Sequence, residues 1–321
     1  MIKFLGKRIL QMIFVLLAVS VVVFIFSSLI GDPISLMVPE NATQAQIDAA
    51  REYLGLDKPI PVQYGIFLKD VLRGNFGISY RYYQPAMKVI IERVPATLEM
   101  VFISLVITGI FSILLGVYSG AYPKRKSSKL IMTLSIAGIS LPSFWLGMMM
   151  IYVFAIKLRW LPPSGRGTVG VFLGIESSLF TIDGLRHLIL PAVTLSMVNL
   201  ATLIRLTRAG MQENMRQDYV KYARSKGVSR WDVLYKHALK NTLIPVVTIF
   251  GLQIGGLIAF TTITETIFAW PGMGKLLIDS ISSADKPIIV SYLMLVSIMF
   301  VFINFIVDII YVAIDPRIDL K

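Results

Sequence analysis

"TLEMVFISLVITGIFSILLGVYSG", residues 97–120, carries one charged residue, Glu99, in 24 positions. A run of about 20 apolar residues is long enough to cross the ~30 Å hydrocarbon core of a bilayer as a helix. Five more runs have the same character: Ile9–Ile30, Leu130–Ile156, His187–Leu206, Leu243–Phe268 and Ile288–Ile314. The 321-residue chain is 55% hydrophobic and 16% charged, whereas soluble domains average about 25% charged. A barrel would show short alternating strands instead of long unbroken runs. The sequence therefore predicts an all-α polytopic membrane protein with six transmembrane helices.

Lys3, Lys7 and Arg8 precede the first run, as they would in a signal peptide. The run is too long for a usual apolar signal core, and it ends "SSLIGDP" without a small-x-small cleavage site. It reads as a retained N-terminal transmembrane helix within 1–30. The absence of cysteine excludes disulfides and thiolate metal sites. His187 and His237 lie far apart, which argues against a histidine metal site.

Charge sets the expected orientation. With the N-terminus inside, inside segments hold 18 Lys/Arg and outside segments 13, spread over far more chain. Short loops rich in Lys/Arg stay cytoplasmic, and "YPKRKSSK" at 122–129 is the clearest of them. Both termini and the 205–241 loop are then expected to be cytoplasmic. The high pI, about 9.8, follows from topology and needs no nucleic-acid partner.

Residues 31–96 form the largest expected outside segment. Thr43 and Gln46 are spaced as a capping box before a short helix stopped by Gly55, and "VQYGIFLKDVLRGNFG" (62–77) suggests a second helix ending at Gly74. A plug, a scaffold, a docking surface and a packed spacer all fit this segment. The Pro/Gly-rich 157–186 stretch reads as irregular chain. Gly116/Gly120 and Gly251/Gly255 have the spacing that lets membrane helices approach closely. Pro142 and Pro191 are expected to kink their helices.

No phosphate-binding Gly-rich loop occurs. "PGMGKLL" (271–277) lacks the first glycine and has Leu276 where Ser or Thr would follow the lysine. No nucleophile-elbow pattern occurs either. Glu99 and Glu265 fall near the outer ends of their runs and Asp308 near an inner end, away from the midplane positions that ion-coupled carriers use. The middle holds neutral polar groups. Ser196, Asn199 and Gln253 either bond between helices or line a solute path.

"YARSKGVSRWDVLYKHALKN" (222–241) is the most organised polar stretch. Ser229 and Asp232 form a capping box, and Trp231, Leu234, Tyr235, Ala238 and Leu239 follow as one apolar stripe. Tyr219, Tyr222 and Ala223 fall on one face of a preceding short helix that Gly227 ends. A solvated basic loop explains the charges but not the cap, stripe or glycine. A DNA-reading helix-turn-helix does not fit between two membrane spans. A short helix that docks in a partner's groove suits a chain without an energy source of its own.

Here the sequence resembles the permease subunits of binding-protein-dependent ABC importers, in the dipeptide, oligopeptide and nickel group. Their cytoplasmic EAA loop reads broadly E-A-A-x3-G-x9-I-x-L-P. This chain departs from it at Lys221, Tyr222, His237 and Lys240 and keeps Ala223, Gly227 and Leu239. The peptide/nickel form, A-R-x-K-G then H-x-L-x-N-x-x-x-P, is met by Ala223, Arg224, Lys226, Gly227, His237, Leu239, Asn241 and Pro245. "LGLDKPIPVQY" (54–64), "RGNFGISY" (73–80), "RVPATLE" (93–99), "ETIFAWPGMGKLL" (265–277) and "DPRI" (315–318) resemble the same branch.

The resemblance implies a type I ABC importer permease fold, with a core of five transmembrane helices over 97–314 and a cytoplasmic tail at 315–321. It implies a second, homologous permease subunit, two ABC ATPase subunits and an extracytoplasmic solute-binding protein, all assembled in a bacterial or archaeal cell membrane. ATP and Mg²⁺ would sit on the ATPases, with no cofactor on this chain and no catalysis by it. The ATPase-coupling residues would be Tyr219, Tyr222, Ala223, Arg224, Ser225, Lys226, Gly227 and Val228. Peptides are the implied cargo, with nickel or metal chelates, glutathione and oligosaccharides as alternatives. From other classes, an ion-coupled carrier and an intramembrane enzyme remain the competitors.

Overall fold

The computed structural model describes residues 2–29, 42–172 and 174–314. In chain order the helices are α1 (Ile2–Leu29), α2 (Gln44–Leu54), α3 (Ile60–Leu72), α4 (Ala86–Ile91), α5 (Val94–Ala121), α6 (Lys126–Ser140) and α7 (Ser143–Met150). A π-helical turn, Ile151–Lys157, extends α7. A small antiparallel pair follows, β1 (Gly170–Phe172) with β2 (Ile175–Ser177). Next come α8 (Ile182–Asn214), α9 (Asp218–Ser225), α10 (Arg230–Asp232), a π-helical turn at Val233–Ala238, α11 (Leu239–Ile267), α12 (Met273–Ser282) and α13 (Lys286–Ile314).

Among the described residues, five helical columns are long and apolar enough to cross a membrane: Gly6–Ser27, Ala86–Ala121, Ile182–Asn214, Arg230–Ile267 and Lys286–Ile309. The third expected span is not one straight helix. Its halves, Lys126–Ser140 and Ser143–Lys157, are bent by 114° from one line, so the described residues hold six spans when the bent pair counts as one. The cause is local. Pro142 cannot donate a hydrogen bond and drives the residue before it out of the helical region, and Leu141 is extended at φ −88°, ψ 135°. Pro191 instead lies inside α8, which continues through it as one helix. Neighbouring helices make such prolines tolerable in a membrane.

The fourth run also ends later than expected, at Asn214 in place of Leu206. A drop in hydropathy marks where a helix leaves the bilayer, not where it stops. The 33 residues of α8 span about 50 Å, well beyond the hydrocarbon core.

The described chain forms two units, one through Val94 with Leu276–Phe302, the other Pro95–Lys275 with the chain from Ile303 onward. In the first, Val23 of α1 packs with Val290 and Met294 of α13, against Phe67 and Val71 of α3. Ser20 and Tyr64 share a hydrogen bond of 2.8 Å. The capping box at Thr43/Gln46 is present, and Gly55 closes α2 in the left-handed region at φ 66°. The buried Asp285 accepts hydrogen bonds from the Ser79 hydroxyl and from the backbone N–H groups of Tyr80 and Arg81. The 79–81 turn is thereby fixed by a residue 200 positions away.

In the second unit, the small residues of α5 admit α8. A Cβ on Gly116 would collide with Thr207, and one on Gly120 would lie 2.6 Å from the Met211 Cβ. α8 also packs against α6 and α11. Gly251 of α11 meets Val307, where a Cβ would sit 2.7 Å from that side chain. The 157–186 stretch is more ordered than its composition suggested. Gly170–Phe172 pairs antiparallel with Ile175–Ser177, and Ser178–Phe180 forms a 3₁₀ turn.

Candidate functional site

The 218–239 segment is a helix, a glycine turn and a second helical entry into α11. Asp218 opens α9 and Arg224 closes it, which suits the helix dipole at both ends. Lys221 lies 2.8 Å from the Asp218 carboxylate. That hydrogen bond, and then the charge, hold the carboxyl below its ordinary value. At the other end Val228 N–H bonds the Ala223 carbonyl (3.2 Å) and Gly227 N–H the Arg224 carbonyl (3.0 Å), the pattern of a Schellman cap. Gly227 takes φ 77°, and a Cβ there would meet nothing within 4 Å. Glycine is required at this position by backbone conformation, not by crowding.

Ser229 then caps the next turn, accepting the Asp232 N–H at 3.1 Å. The return arm differs from a full capping box. The Asp232 carboxylate accepts from the Ser229 hydroxyl (2.8 Å) and pairs with Lys236 (2.7 Å). The π-helical turn at Val233–Ala238 follows, and the expected apolar stripe holds at Leu234, Tyr235, Ala238 and Leu239. The wider turn buries two adjacent residues. Val233 packs on Val220 and Ala223 of α9. Leu234 packs with Ala238 and Leu239 against Val117 of α5 and Met211 of α8. Trp231, expected in the buried stripe, is 67% exposed and stacks on Tyr235 with ring centroids 4.1 Å apart.

The face of α9 is also corrected. Val220 and Ala223 are buried, whereas Tyr222 is 62% exposed. Tyr219 turns instead to a polar junction. Its hydroxyl donates to Asn214 Oδ1 (2.7 Å) and accepts from Asn241 Nδ2 (3.0 Å). Asn214 donates onward to Thr242 Oγ1 at 3.1 Å. The end of α8, α9 and the start of α11 are thus tied at one tyrosine. Arg224, Ser225 and Lys226 stay exposed beside Tyr222, and Val228 is half-buried under the turn. The segment is firmly rooted in the helical core and presents a cationic, aromatic surface outward. It offers contacts and leverage, with no nucleophile–base constellation.

The three expected path residues lie on two helices, Ser196 and Asn199 on α8 and Gln253 on α11. Ser196 is buried and returns its hydroxyl to the Val193 carbonyl of its own helix (2.7 Å). Asn199 is half-buried on α8. Gln253, on α11, keeps a buried Oε1 without a hydrogen-bond partner. No hydrogen bond joins the three among the described residues.

Two buried acids organise the opposite ends of the long helices, and sequence reasoning had marked them only by position. Glu265 is fully buried and accepts from Thr97 Oγ1 (2.6 Å) and Lys275 N–H (2.8 Å). Thr97 Oγ1 also accepts the Met273 N–H (2.9 Å). Trp270 Nε1 donates to the Ala96 carbonyl at 2.8 Å. The Glu265 carboxylate thus sits at the start of α12, where exposed N–H groups favour an anion. Gly272 leaves room for it, since a Cβ there would collide with the carboxyl. Glu99 accepts from Arg166 and from the Ser178 hydroxyl (2.5 Å), pinning the 158–181 stretch to α5. The quoted "RVPATLE" and "ETIFAWPGMGKLL" contain both acids and their partners. "DPRI" (315–318) lies outside the described residues.

Residues 112–320 match the model of the family described as "Binding-protein-dependent transport system inner membrane component". Residues 1–101 match the corresponding N-terminal family. The chain is 39% identical to the di/tripeptide transport system permease protein DppB of Pseudomonas aeruginosa, over 99% of each. It is 38% identical to the glutathione transport system permease protein GsiC of Escherichia coli K12, over the whole of both. Among solved structures, an inward-facing MetNI methionine ABC transporter chain superposes with a TM-score of 0.55 at 16% identity, covering 71% of this chain and 97% of that one. That likeness speaks for the fold alone.

Proposed function

The chain belongs to the family of binding-protein-dependent transport system inner membrane components, and from that premise we propose that it is one of two permease subunits of an ATP-driven peptide importer. The observation that carries the cargo is full-length similarity to a di/tripeptide permease. The equally complete similarity to a glutathione permease favours glutathione as the second reading, which is itself a small peptide. A solute-binding protein outside would deliver the cargo, and separate ATPase subunits inside would hold ATP and Mg²⁺. Both termini and the 205–241 loop would face the cytoplasm.

The 218–239 segment is the proposed coupling element. Its exposed Tyr222, Arg224, Ser225 and Lys226 would occupy a groove on an ATPase subunit. Its buried Val220, Ala223 and Val233, with the Tyr219 junction, would pass motion to α8 and α11. ATP binding would close the ATPase pair, move the docked helix and bias the spans between two states. Ser196, Asn199 and Gln253 remain proposed path residues, to be tested by cysteine labelling in this cysteine-free chain.

The test replaces Gly227. A β-branched residue at φ 77° is strained by about 1–2 kcal/mol or more, while asparagine tolerates that region. Gly227→Val is expected to insert normally but lose peptide uptake or ATPase assembly, and Gly227→Asn to retain most of both. Full coupled uptake by Gly227→Val would sink the coupling assignment. Peptide uptake by this chain without any ATPase would sink the importer reading.

A further inference from the structure

Tyr122 lies at the turn between α5 and α6, and its ring carries two guanidinium groups from separate parts of the chain. Arg125, the residue that caps α6, is centred 4.3 Å from the ring centroid. Arg230, which opens the column into α11, is centred 4.6 Å from it. The ring of Tyr118 packs below at 5.4 Å, and its hydroxyl is held by Ser127 at 2.8 Å. Among the described residues neither guanidinium pairs with a carboxylate. Two like charges are therefore gathered on one aromatic ring, with Lys124, Lys126 and Lys129 exposed nearby in sequence. Cation–π attraction offsets part of their repulsion. A bound anion would offset the rest.

A second observation shows which anion fits. A half-open groove of about 140 Å³ runs between α5, α6 and α8, lined by Leu115, Ile131, Leu134, Met197 and Leu200 among others. Ser135 in its wall turns its hydroxyl to the Ile131 carbonyl (2.8 Å), so that group is not offered to the groove. Leu115 lies in the last two turns of α5, and Tyr122 follows the helix end with its N–H still on the Tyr118 carbonyl (3.0 Å), about 10 Å along the axis from Leu115. Ile131 follows Arg125 by six. Tyr122 follows one apolar column, Arg125 precedes another and Arg230 opens a third, and Lys and Arg near the ends of such helices reach the headgroup region. Two cations at the α5–α6 turn and an apolar groove within two helical turns of it along both helices match a molecule with an anionic head and an apolar tail.

We propose that Tyr122, Arg125 and Arg230 seat the phosphate of an anionic phospholipid whose acyl chain lies in the α5–α6–α8 groove. Interfacial Lys and Arg attract anionic lipids, and arginine adds directed hydrogen bonds to phosphate oxygens. Because Arg230 belongs to the proposed coupling element, this lipid would join that element to the α5–α6 turn. The inference needs membrane embedding but no particular cargo.

The experiment uses the full-length protein in mild detergent, titrated with dioleoyl-phosphatidylglycerol. Dioleoyl-phosphatidylcholine and inorganic phosphate serve as controls. Retained lipid is counted by native mass spectrometry and the unfolding temperature is followed. Phosphatidylglycerol should be retained and raise the unfolding temperature, with phosphatidylcholine retained about tenfold less. The Arg125→Gln/Arg230→Gln variant should lose that preference. Leu134→Trp, at an exposed position on the groove wall, should weaken retention without altering charge and guards against a double variant that fails to fold. Equal retention of both lipids, undiminished preference in the double variant, or undiminished retention in Leu134→Trp would overturn the proposal. So would inorganic phosphate reproducing the whole effect, which would make the seat a simple anion site. A double variant that keeps its lipid but loses ATPase subunits on purification would assign the cations to protein docking and overturn it too.

Discussion

The coupling segment and the Glu265 junction place their polar contacts differently: the first has an exposed one, at Tyr219, beside an apolar seat, and the second is built around a buried carboxylate. Around Val220, Ala223, Val233 and Leu234 the contacts are apolar, and the charged groups point outward. At the junction a carboxylate is fully buried, and the contacts that hold α5, α11 and the start of α12 are hydrogen bonds to it or beside it. An apolar surface lets elements slide or re-dock at modest cost. A buried polar network permits one arrangement, because every stranded donor costs free energy. The first design suits a part that transmits motion, the second a part that must stay put.

Substitutions can break this contrast. The largest effect is expected from Glu265→Ala, which strands the Thr97 hydroxyl and backbone N–H groups at α12. A loss of about 3 kcal/mol or more should appear as a lower unfolding temperature, since each buried orphan costs about 1–3 kcal/mol. A fall near that of a surface substitution would show that the junction is not a fixed point. Arg166→Ala comes next. It leaves the 7%-exposed Glu99 with Ser178 as its remaining partner in this cluster, and about 2–3 kcal/mol should be lost. Proteolysis within 158–181 should rise with it.

On the other side of the comparison, Ser229→Ala removes a helix cap and should cost about 1 kcal/mol, read as faster amide exchange at Asp232 and Val233. The smallest effect concerns acid. The Asp218 carboxyl is held below its ordinary value of 3.8, so its contribution is present above that value. It is lost as pH falls through the lower, folded value. Wild type and Asp218→Asn should differ slightly in unfolding temperature near neutrality and converge in acid. A gap that widens in acid would reverse the assigned sign.

Much of the coupling segment was legible because its signals are local. A cap, a glycine turn and an apolar stripe depend on residues within one or two turns. Even there, Trp231 at the head of the stripe is exposed and Val233 outside it is buried against α9, which helical spacing alone does not anticipate. The junction acids were visible only as unusual charges near span ends. Glu265 finds Thr97 168 positions away and Glu99 finds Arg166 67 positions away, and no periodicity carries information over such distances. The Asn214–Tyr219–Asn241 contact falls between these cases. Asn241 stood out as part of a quoted pattern, yet nothing in that pattern named Tyr219 as its partner.

By itself, the sequence determined that this is a multi-pass helical membrane protein with a capped, amphipathic segment between two of its spans. Hydropathy and helical spacing are properties of consecutive residues, and consecutive residues suffice to read them. Only the tertiary structure decided where the third span bends, which face of α9 is buried and which donors satisfy Glu99, Glu265 and Asp285. A buried polar group takes its partner from whatever backbone the fold brings within about 3 Å. That choice is made by packing.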